Sequence, residues 1–143
     1  MIDYPFTKFR LVPLIAQSAV YYLGGLFITN KYTEYVDIFT DPDNPLVAEL
    51  HAFSAVLKSK GSWFANNTIT ECREMLGGHG YSSFSRLGRL FSDNDVHSTW
   101  EGDNNMLLQQ TSKFLLKCAM TQTKCSLIDI EFLWQDNDLK VDL

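Results

Sequence analysis

Two clusters of helix-breaking residues divide this chain into three long stretches, none of which shows a strand pattern. The first cluster is DPDNP at residues 41–45, and the second is GGHGY at residues 77–81. Proline lacks a backbone donor, and glycine after a helix supplies a turn that other residues resist. Within the three stretches, apolar residues recur at intervals of three and four, which is typical of helices. The pattern predicts an all-α fold, an up-and-down helical bundle.

Three helices are predicted, over residues 10–30, residues 46 to about 75, and from near Glu101 to about residue 120. Pro13 would lie near the start of the first helix, where a missing amide is tolerated. The paired glycines at 24 and 25 would permit close approach of a neighbouring helix. The predicted buried face of the first helix is Phe9, Val12, Ala16, Ala19, Leu23 and Leu26. On the second helix, Gly61 is a small residue within the predicted buried face, whose other members are Leu46, Leu50, Phe53, Leu57, Phe64, Thr68, Cys72 and Met75. On the third helix, the predicted buried face is Leu107, Thr111, Phe114 and Cys118.

The remaining segments have no firm period. Residues 82–98 predict an irregular arm between the second and third helices. We expect a bundle domain over residues 1–124, followed by a tail of uncertain structure over residues 125–143, either a short packed helix or a loose terminus.

Composition excludes some classes of function. The chain has 143 residues and a net charge of −5, and it has no run of Lys or Arg, which argues against a nucleic-acid partner. Its three cysteines lack metal-ligand spacing, so we expect no metal, and their odd count favours reduced thiols over a disulfide scaffold. Residues 11–28 carry no charge and reach the lower limit of roughly 18 residues for a membrane span. Pro13, the two glycines and the polar residues of this segment favour a buried bundle helix, so no membrane span is predicted.

The segment ECREMLGGHGY, then the arm, then TWEGDNNMLLQQ resembles the acyl-CoA oxidase branch of the acyl-CoA dehydrogenase superfamily. Related dehydrogenases show a similar GGxGY, an arm and a YEG sequence, and the DN after EG here is closer to the oxidase form. The N-terminal FTKFRLVPLIAQSAVYYL resembles a helix of the family's C-terminal bundle. The resemblance covers roughly residues 5–117 and implies a truncated bundle of the acyl-CoA dehydrogenase C-terminal type.

The resemblance gives Glu101 a catalytic role. In isolation it would be an acid at a helix N-terminus, stabilised by about 0.3–1 kcal/mol. By resemblance it is the base that removes a proton next to the thioester carbonyl of a fatty acyl-CoA, while FAD takes a hydride from the next carbon. The implied products are the trans-2-enoyl-CoA and, through oxygen, hydrogen peroxide. A dehydrogenase that passes electrons to a carrier protein is the near alternative.

The neighbouring residues have two interpretations each. By resemblance Trp100 and Gly102 contact the substrate, although the family more often has tyrosine before the EG pair; Gly102 would otherwise be a turn glycine. Gly77 and Gly78 would contact an FAD held mainly by a neighbouring subunit, or would simply end a helix. A last group would bind FAD or cap the third helix: Asp103, Asn104 and Asn105.

Family members are several times longer, with an N-terminal helical domain and a central β-domain that supply much of the pocket. The chain is therefore expected to be partial and to have little activity alone. Its implied partners are a fatty acyl-CoA and either a second copy or a longer subunit. An alternative is a catalytically inactive helical module that binds a full-length relative. The resemblance implies a peroxisomal location, although the C-terminal KVDL is not an SKL-type signal.

Overall fold

The computed structural model describes residues 2–41 and 44–135. Within these ranges the chain is helical and has no strand, which confirms the all-α fold. The helices are α1 (Pro5–Glu34), α2 (Pro45–Met75), α3 (Gly78–Tyr81), α4 (Leu87–Asp95), α5 (Asn104–Thr121) and α6 (Phe132–Gln135). Short 3₁₀ turns occur at Val36–Thr40, Ser83–Ser85 and Val96–Ser98.

Helix α2 is the centre of the bundle, because α1, α4 and α5 all pack against it. Its start is well specified: the Asn44 side chain accepts the backbone N–H of Leu46 at 3.0 Å, and Pro45 occupies the first turn. The buried apolar core is small and belongs mainly to α2, with contributions from α5 and the C-terminal segment. Its members are Leu50, Ala52, Ala55, Ile69, Cys118 and Ile130.

Ring contacts join α1 to α2. Tyr21 stacks on Phe64 with ring centroids 5.1 Å apart, and Phe27 meets Phe53 edge-on at 5.5 Å. Between these pairs a methyl group on Gly24 would lie 3.0 Å from Leu57 Cδ2, so the glycine permits the close approach that the sequence predicts. The predicted inner face of α2 therefore does contact α1.

The predicted inner face of α1 is wrong. Phe9 is 75% exposed, and the rest of that stripe is exposed as well. The side that meets α2 instead carries Tyr21, Gly24 and Phe27. Because α1 is apolar on nearly all sides, the spacing of its apolar residues does not single out one face.

Two further expectations for α1 need correction. The helix begins at Pro5, so Pro13 lies in its interior instead of its first turn. No residue of α1 is buried, whereas the sequence favours a buried helix.

The most apolar 18-residue window of α1 has a mean hydropathy of 1.6, and by length and composition α1 is the one helix in the described part that can cross a membrane. Core helices of soluble proteins pass the same test, and Arg10 on α1 binds Glu71 on α2 at 2.6 Å.

The segment predicted as an irregular arm is mostly helical. Helix α4 runs back along α2, where Asn94 Nδ2 donates to Asn66 Oδ1 at 2.7 Å and Asn66 Nδ2 donates to Asp95 Oδ1 at 2.9 Å. Leu87, Leu90 and Phe91 have helical spacing, but nine residues give too short a period to identify a helix from sequence.

The segment after α5 folds back onto α2. Glu49 on α2 is 4% exposed, and its carboxylate accepts the backbone N–H groups of Ser126, Leu127 and Ile128 at 2.8, 2.6 and 3.1 Å. Helix α6 follows. The predicted tail is therefore bonded to α2 at residues 126–128 and buried at Ile130, and its last part, residues 136–143, lies outside the described residues.

Candidate functional site

The glycine turn after α2, residues 77–80, has an exposed side and a buried side. Gly77 has φ +57°, which glycine adopts without strain, and a Cβ at Gly77 or Gly78 would meet no atom within 4 Å. Gly80 is buried, and a Cβ there would overlap the backbone carbonyl oxygen of Arg73. The helix-ending role predicted for these glycines is confirmed, and the exposed pair offers uncovered backbone to a ligand.

A basin of about 490 Å³ borders this turn. Two arginines and two serines give it a polar, cationic lining suited to anionic groups. It is lined by Tyr81, Ser82, Ser83, Arg86, Gly88 and Arg89. One of the arginines is partly neutralised, because Arg89 Nε lies 3.5 Å from Asp93 Oδ2.

The turn at residues 100–102 presents Glu101 to solvent. Glu101 has φ +55° and Gly102 has φ +104°, so two consecutive residues have left-handed backbone. This conformation costs a residue with a side chain roughly 1–2 kcal/mol. The Glu101 side chain is exposed and makes no hydrogen bond or ion pair with any residue that the structure describes. Nothing in the chain's own interior requires a glutamate there.

Trp100 stands beside this carboxylate in the sequence and is 48% exposed. Its Nε1 donates to Nδ1 of His97 at 2.9 Å, and the two rings meet edge-on with centroids 4.9 Å apart. His97 therefore orients the indole, a role that the sequence did not indicate.

The three residues after Gly102 have different roles. Asp103 caps α5, accepting the backbone N–H groups of Asn105 and Met106 at 2.9 and 3.2 Å, as predicted. Asn105 is exposed. Asn104 is 1% exposed, and its side chain is directed into the interface with α2 instead of toward solvent. The flavin contact implied for Asn104 by the resemblance is therefore wrong for its side chain.

Lys58 on α2 is a site residue that the sequence did not reveal. Its Nζ donates to the carbonyl oxygen of Gly102 at 2.6 Å and to Asn104 Oδ1 at 2.9 Å. No motif marks this lysine, because its partners lie 44 and 46 positions away along the chain. It also borders a groove of about 280 Å³ lined by Leu57, Lys58, Gly61, Ser62, Ala65, Asn94 and His97.

The structure does not bring the glycine turn and Glu101 together. Lys58, which binds the carbonyl next to Glu101, precedes the end of α2 at Met75 by 17 residues (75 − 58). At a rise of 1.5 Å per residue, the two motifs are about 25 Å apart along the helix axis. The described residues also contain no group of three or more His, Cys, Asp or Glu suited to a metal ion.

Comparison with known proteins identifies the family. Residues 1–116 match the acyl-CoA oxidase C-alpha1 domain. Acyl-coenzyme A oxidase 2, peroxisomal, of Arabidopsis thaliana is 38% identical over 117 residues, which is 82% of this chain and 16% of that protein. Peroxisomal acyl-coenzyme A oxidase 3 of Homo sapiens is 41% identical over 124 residues, which is 81% of this chain and 17% of that protein.

The fold is similar as well. The crystal structure of acyl-CoA oxidase 3 from Yarrowia lipolytica superimposes with a TM-score of 0.73 at 32% identity, covering 85% of this chain and 19% of that one. The chain thus spans less than a fifth of the length of these relatives. On the match of its helices and of residues 1–116, the chain belongs to the acyl-CoA oxidase family.

Proposed function

We propose that this chain contributes the catalytic base, Glu101, to the oxidation of a fatty acyl-CoA to the trans-2-enoyl-CoA, with electrons passed to oxygen to give hydrogen peroxide. The observation that carries the proposal is the exposed carboxylate of Glu101, held in a left-handed turn without a partner among the described residues. Strained backbone of this kind is concentrated at functional sites. The activity is proposed for the chain together with the further parts found in its longer relatives, with little activity alone.

The carboxylate of Glu101 would take the proton from the carbon next to the thioester carbonyl. An unpartnered carboxylate suits this task, because no internal ion pair has to break before it accepts a proton. Trp100 would form an apolar wall beside the acyl thioester, oriented by His97. Gly102 would leave room for the ligand to approach the backbone.

The residues implied for FAD fit that cofactor in their exposure and chemistry. Gly77 and Gly78 present uncovered backbone, and Asp103 and Asn105 are exposed polar residues. FAD, when bound, would accept the hydride from the carbon beyond the one that Glu101 deprotonates. Because the two groups of residues are about 25 Å apart along α2, we infer that they meet different parts of the cofactor or the flavins of two subunits. This favours a homodimer or association with a longer subunit.

The location of the proposed activity follows from the relatives. Those described above from Arabidopsis thaliana and Homo sapiens are named as peroxisomal oxidases. We therefore propose that the chain acts in peroxisomes, in fatty acid β-oxidation.

The test uses a chimera of human peroxisomal acyl-coenzyme A oxidase 3 in which residues 1–116 of this chain replace the matching segment. Peroxide production from a long-chain acyl-CoA is measured with added FAD, for the chimera and for Glu101→Gln. Glutamine keeps the side-chain shape and the backbone but cannot take a proton. We expect a loss of about 10²–10⁴-fold in turnover, with flavin and acyl-CoA binding retained. Glu34→Gln, at the exposed end of α1, is the matched control and should keep full activity.

An active Glu101→Gln chimera would remove Glu101 as the base. Loss of flavin binding in that variant, with no separate effect on turnover, would mean that the residue supports the fold and not the chemistry. The same peroxide assay on the 143-residue chain alone measures how much activity it has without the remaining parts.

A second candidate function is a catalytically inactive helical module that binds a full-length oxidase subunit. The apolar face of α1 favours it, because exposed apolar patches of this kind usually mark contact surfaces. The face includes Phe6, Phe9, Val12, Ile15, Val20 and Leu23, all more than half exposed. Co-elution of the flavin-free chain with the human oxidase, lost in the double variant Phe9→Ser/Leu23→Ser, would support the module. A yellow chain that elutes without the oxidase would argue against it.

A further inference from the structure

Lys58 ties the turn that carries Glu101 to the central helix. One ammonium group bridges two acceptors on either side of Asp103, the carbonyl oxygen of Gly102 at 2.6 Å and Asn104 Oδ1 at 2.9 Å. Hydrogen bonds from a charged donor are shorter and stronger than those between neutral groups. The bond to Gly102 fixes the peptide plane that directly follows the left-handed pair of residues.

The other end of this contact is rigid. Asn104 Nδ2 donates to the carbonyl oxygen of Ser59 at 3.2 Å and to Ser62 Oγ at 2.8 Å, and Ser62 Oγ donates in turn to the Ser59 carbonyl at 3.2 Å. Ser59 is fully buried and Ser62 is 8% exposed. Every polar atom of the Asn104 amide thus has a partner inside the interface between α2 and α5. A buried polar network that is fully satisfied fixes one arrangement of the segments that it joins.

The turn needs such support. The left-handed backbone of Glu101 costs free energy and persists only when the surroundings over-determine it. The Trp100 side chain donates a hydrogen bond to His97, but the Glu101 side chain has no partner among the residues that the structure describes. The position of its carboxylate therefore depends on the backbone, and Lys58 and Asn104 are what hold the backbone on the side toward α5.

We propose that Lys58, acting through the Gly102 carbonyl and Asn104, is a positioning residue for Glu101. The inference rests on the proposed function of Glu101 as the base. Lys58 does not contact the substrate in this scheme. It fixes the direction of the Glu101 carboxylate, so its loss lowers turnover more than affinity.

The experiment compares Lys58→Met, Lys58→Arg and Lys60→Met in the same chimera. Lys60 lies two positions away on α2, is exposed and stacks over Trp63 at 5.6 Å, so its substitution is a matched control. We expect Lys58→Met to lower kcat by about 10²-fold, the cost of a misplacement of about 1 Å, with KM changed by less than about threefold. Lys58→Arg, which keeps the charge and the donors, should recover most of kcat, and Lys60→Met should keep all of it.

A second measurement reads the turn directly. In the 143-residue chain, amide resonances of Glu101 and Gly102 should shift or broaden in Lys58→Met and remain unchanged in Lys60→Met, while the resonances of α1 stay in place.

If Lys58→Met keeps its kcat in a chimera that Glu101→Gln inactivates, the positioning role is wrong and the base assignment stands. If Glu101→Gln is active, the base assignment fails whatever Lys58 does. A parallel loss of kcat, affinity and thermal stability in Lys58→Met would reduce the lysine to a structural role and overturn the inference.

Discussion

The carboxylate of Glu49 on α2 accepts the backbone N–H of Leu127 at 2.6 Å, although the two residues are 78 positions apart. The same carboxylate takes the amides of Ser126 and Ile128, so one buried acid fastens the C-terminal segment to the central helix. It serves the backbone much as an N-cap side chain does, but over a long separation in sequence.

We expect Glu49→Gln to lower the free energy of unfolding by about 1.5–3 kcal/mol, the usual worth of a hydrogen bond to a charged group. Glutamine replaces one acceptor oxygen with a donor that faces backbone N–H groups. Urea denaturation measures the difference. Glu34→Gln, whose partner Lys31 is at the surface, should change stability by less than about 1 kcal/mol. Equal stability of the two variants would contradict the role of Glu49.

The glycine turn after α2 should tolerate a methyl group at one position and not at another. Gly80→Ala forces a Cβ onto the Arg73 carbonyl, which we expect to cost about 1–3 kcal/mol or more. Gly78→Ala meets no atom within 4 Å and should stay within about 0.5 kcal/mol of the parent. Thermal unfolding followed by circular dichroism compares the two. The prediction fails if both variants melt with the parent.

Asp103 should act as a helix cap independently of any ligand. Asp103→Ala removes the acceptor of two amides at the start of α5 and should destabilise the chain by about 0.5–2 kcal/mol. Asp103→Asn keeps an acceptor oxygen and should recover most of the loss. Both are measured by thermal unfolding without FAD. An asparagine variant as unstable as the alanine variant would mean that charge, and not capping, matters there.

Cys125 should make stability fall at alkaline pH. Burial, followed by the nearby charge of Glu49, raises the pKa of the Cys125 thiol from 9.0 to about 12. The folded chain therefore keeps a proton that the unfolded chain loses. The stabilisation is complete below about pH 9 and is lost as the pH rises toward 12.

Denaturation between pH 9 and 12 tests this effect by comparing the parent with Cys125→Ala. The variant should lose less stability than the parent over that interval. If the parent and Cys125→Ala show the same pH dependence, the thiol titrates normally in the fold.

The long helices α2 and α5 could be predicted because their apolar residues keep a helical period over many turns and because DPDNP and GGHGY mark boundaries. The inner face of α1 could not, since Phe9 and Leu23 are as apolar as Tyr21 and Phe27, and only the position of α2 distinguishes them. Helix α4 is too short for its period to be recognised. Asp103 was predictable as a cap because capping is local.

The site was accessible from sequence only where its contacts are local in the chain. Glu101, Trp100 and Gly102 follow one another in a recognisable motif. Lys58 is joined to that motif only by the folded interface, and the burial of Asn104 distinguishes it from the exposed Asn105 beside it. Neither the contact of Lys58 with this turn nor the burial of Asn104 produces a periodicity or a composition that could be recognised in the sequence.

Helix α1 packs against the bundle on one side only, so its backbone amides are less protected from exchange with solvent than those of the other long helices. Helix α2 is covered by α1, α4, α5 and the C-terminal segment, whereas α1 has no buried residue and is held by two ring pairs and the Arg10–Glu71 ion pair. Its amides should therefore exchange with solvent through a local opening that leaves α2, α4 and α5 intact, well before global unfolding. The first helix would then open independently of the other helices. A partner that covers its outer side would slow this opening, so the exchange rate of the α1 amides would measure how firmly the partner binds.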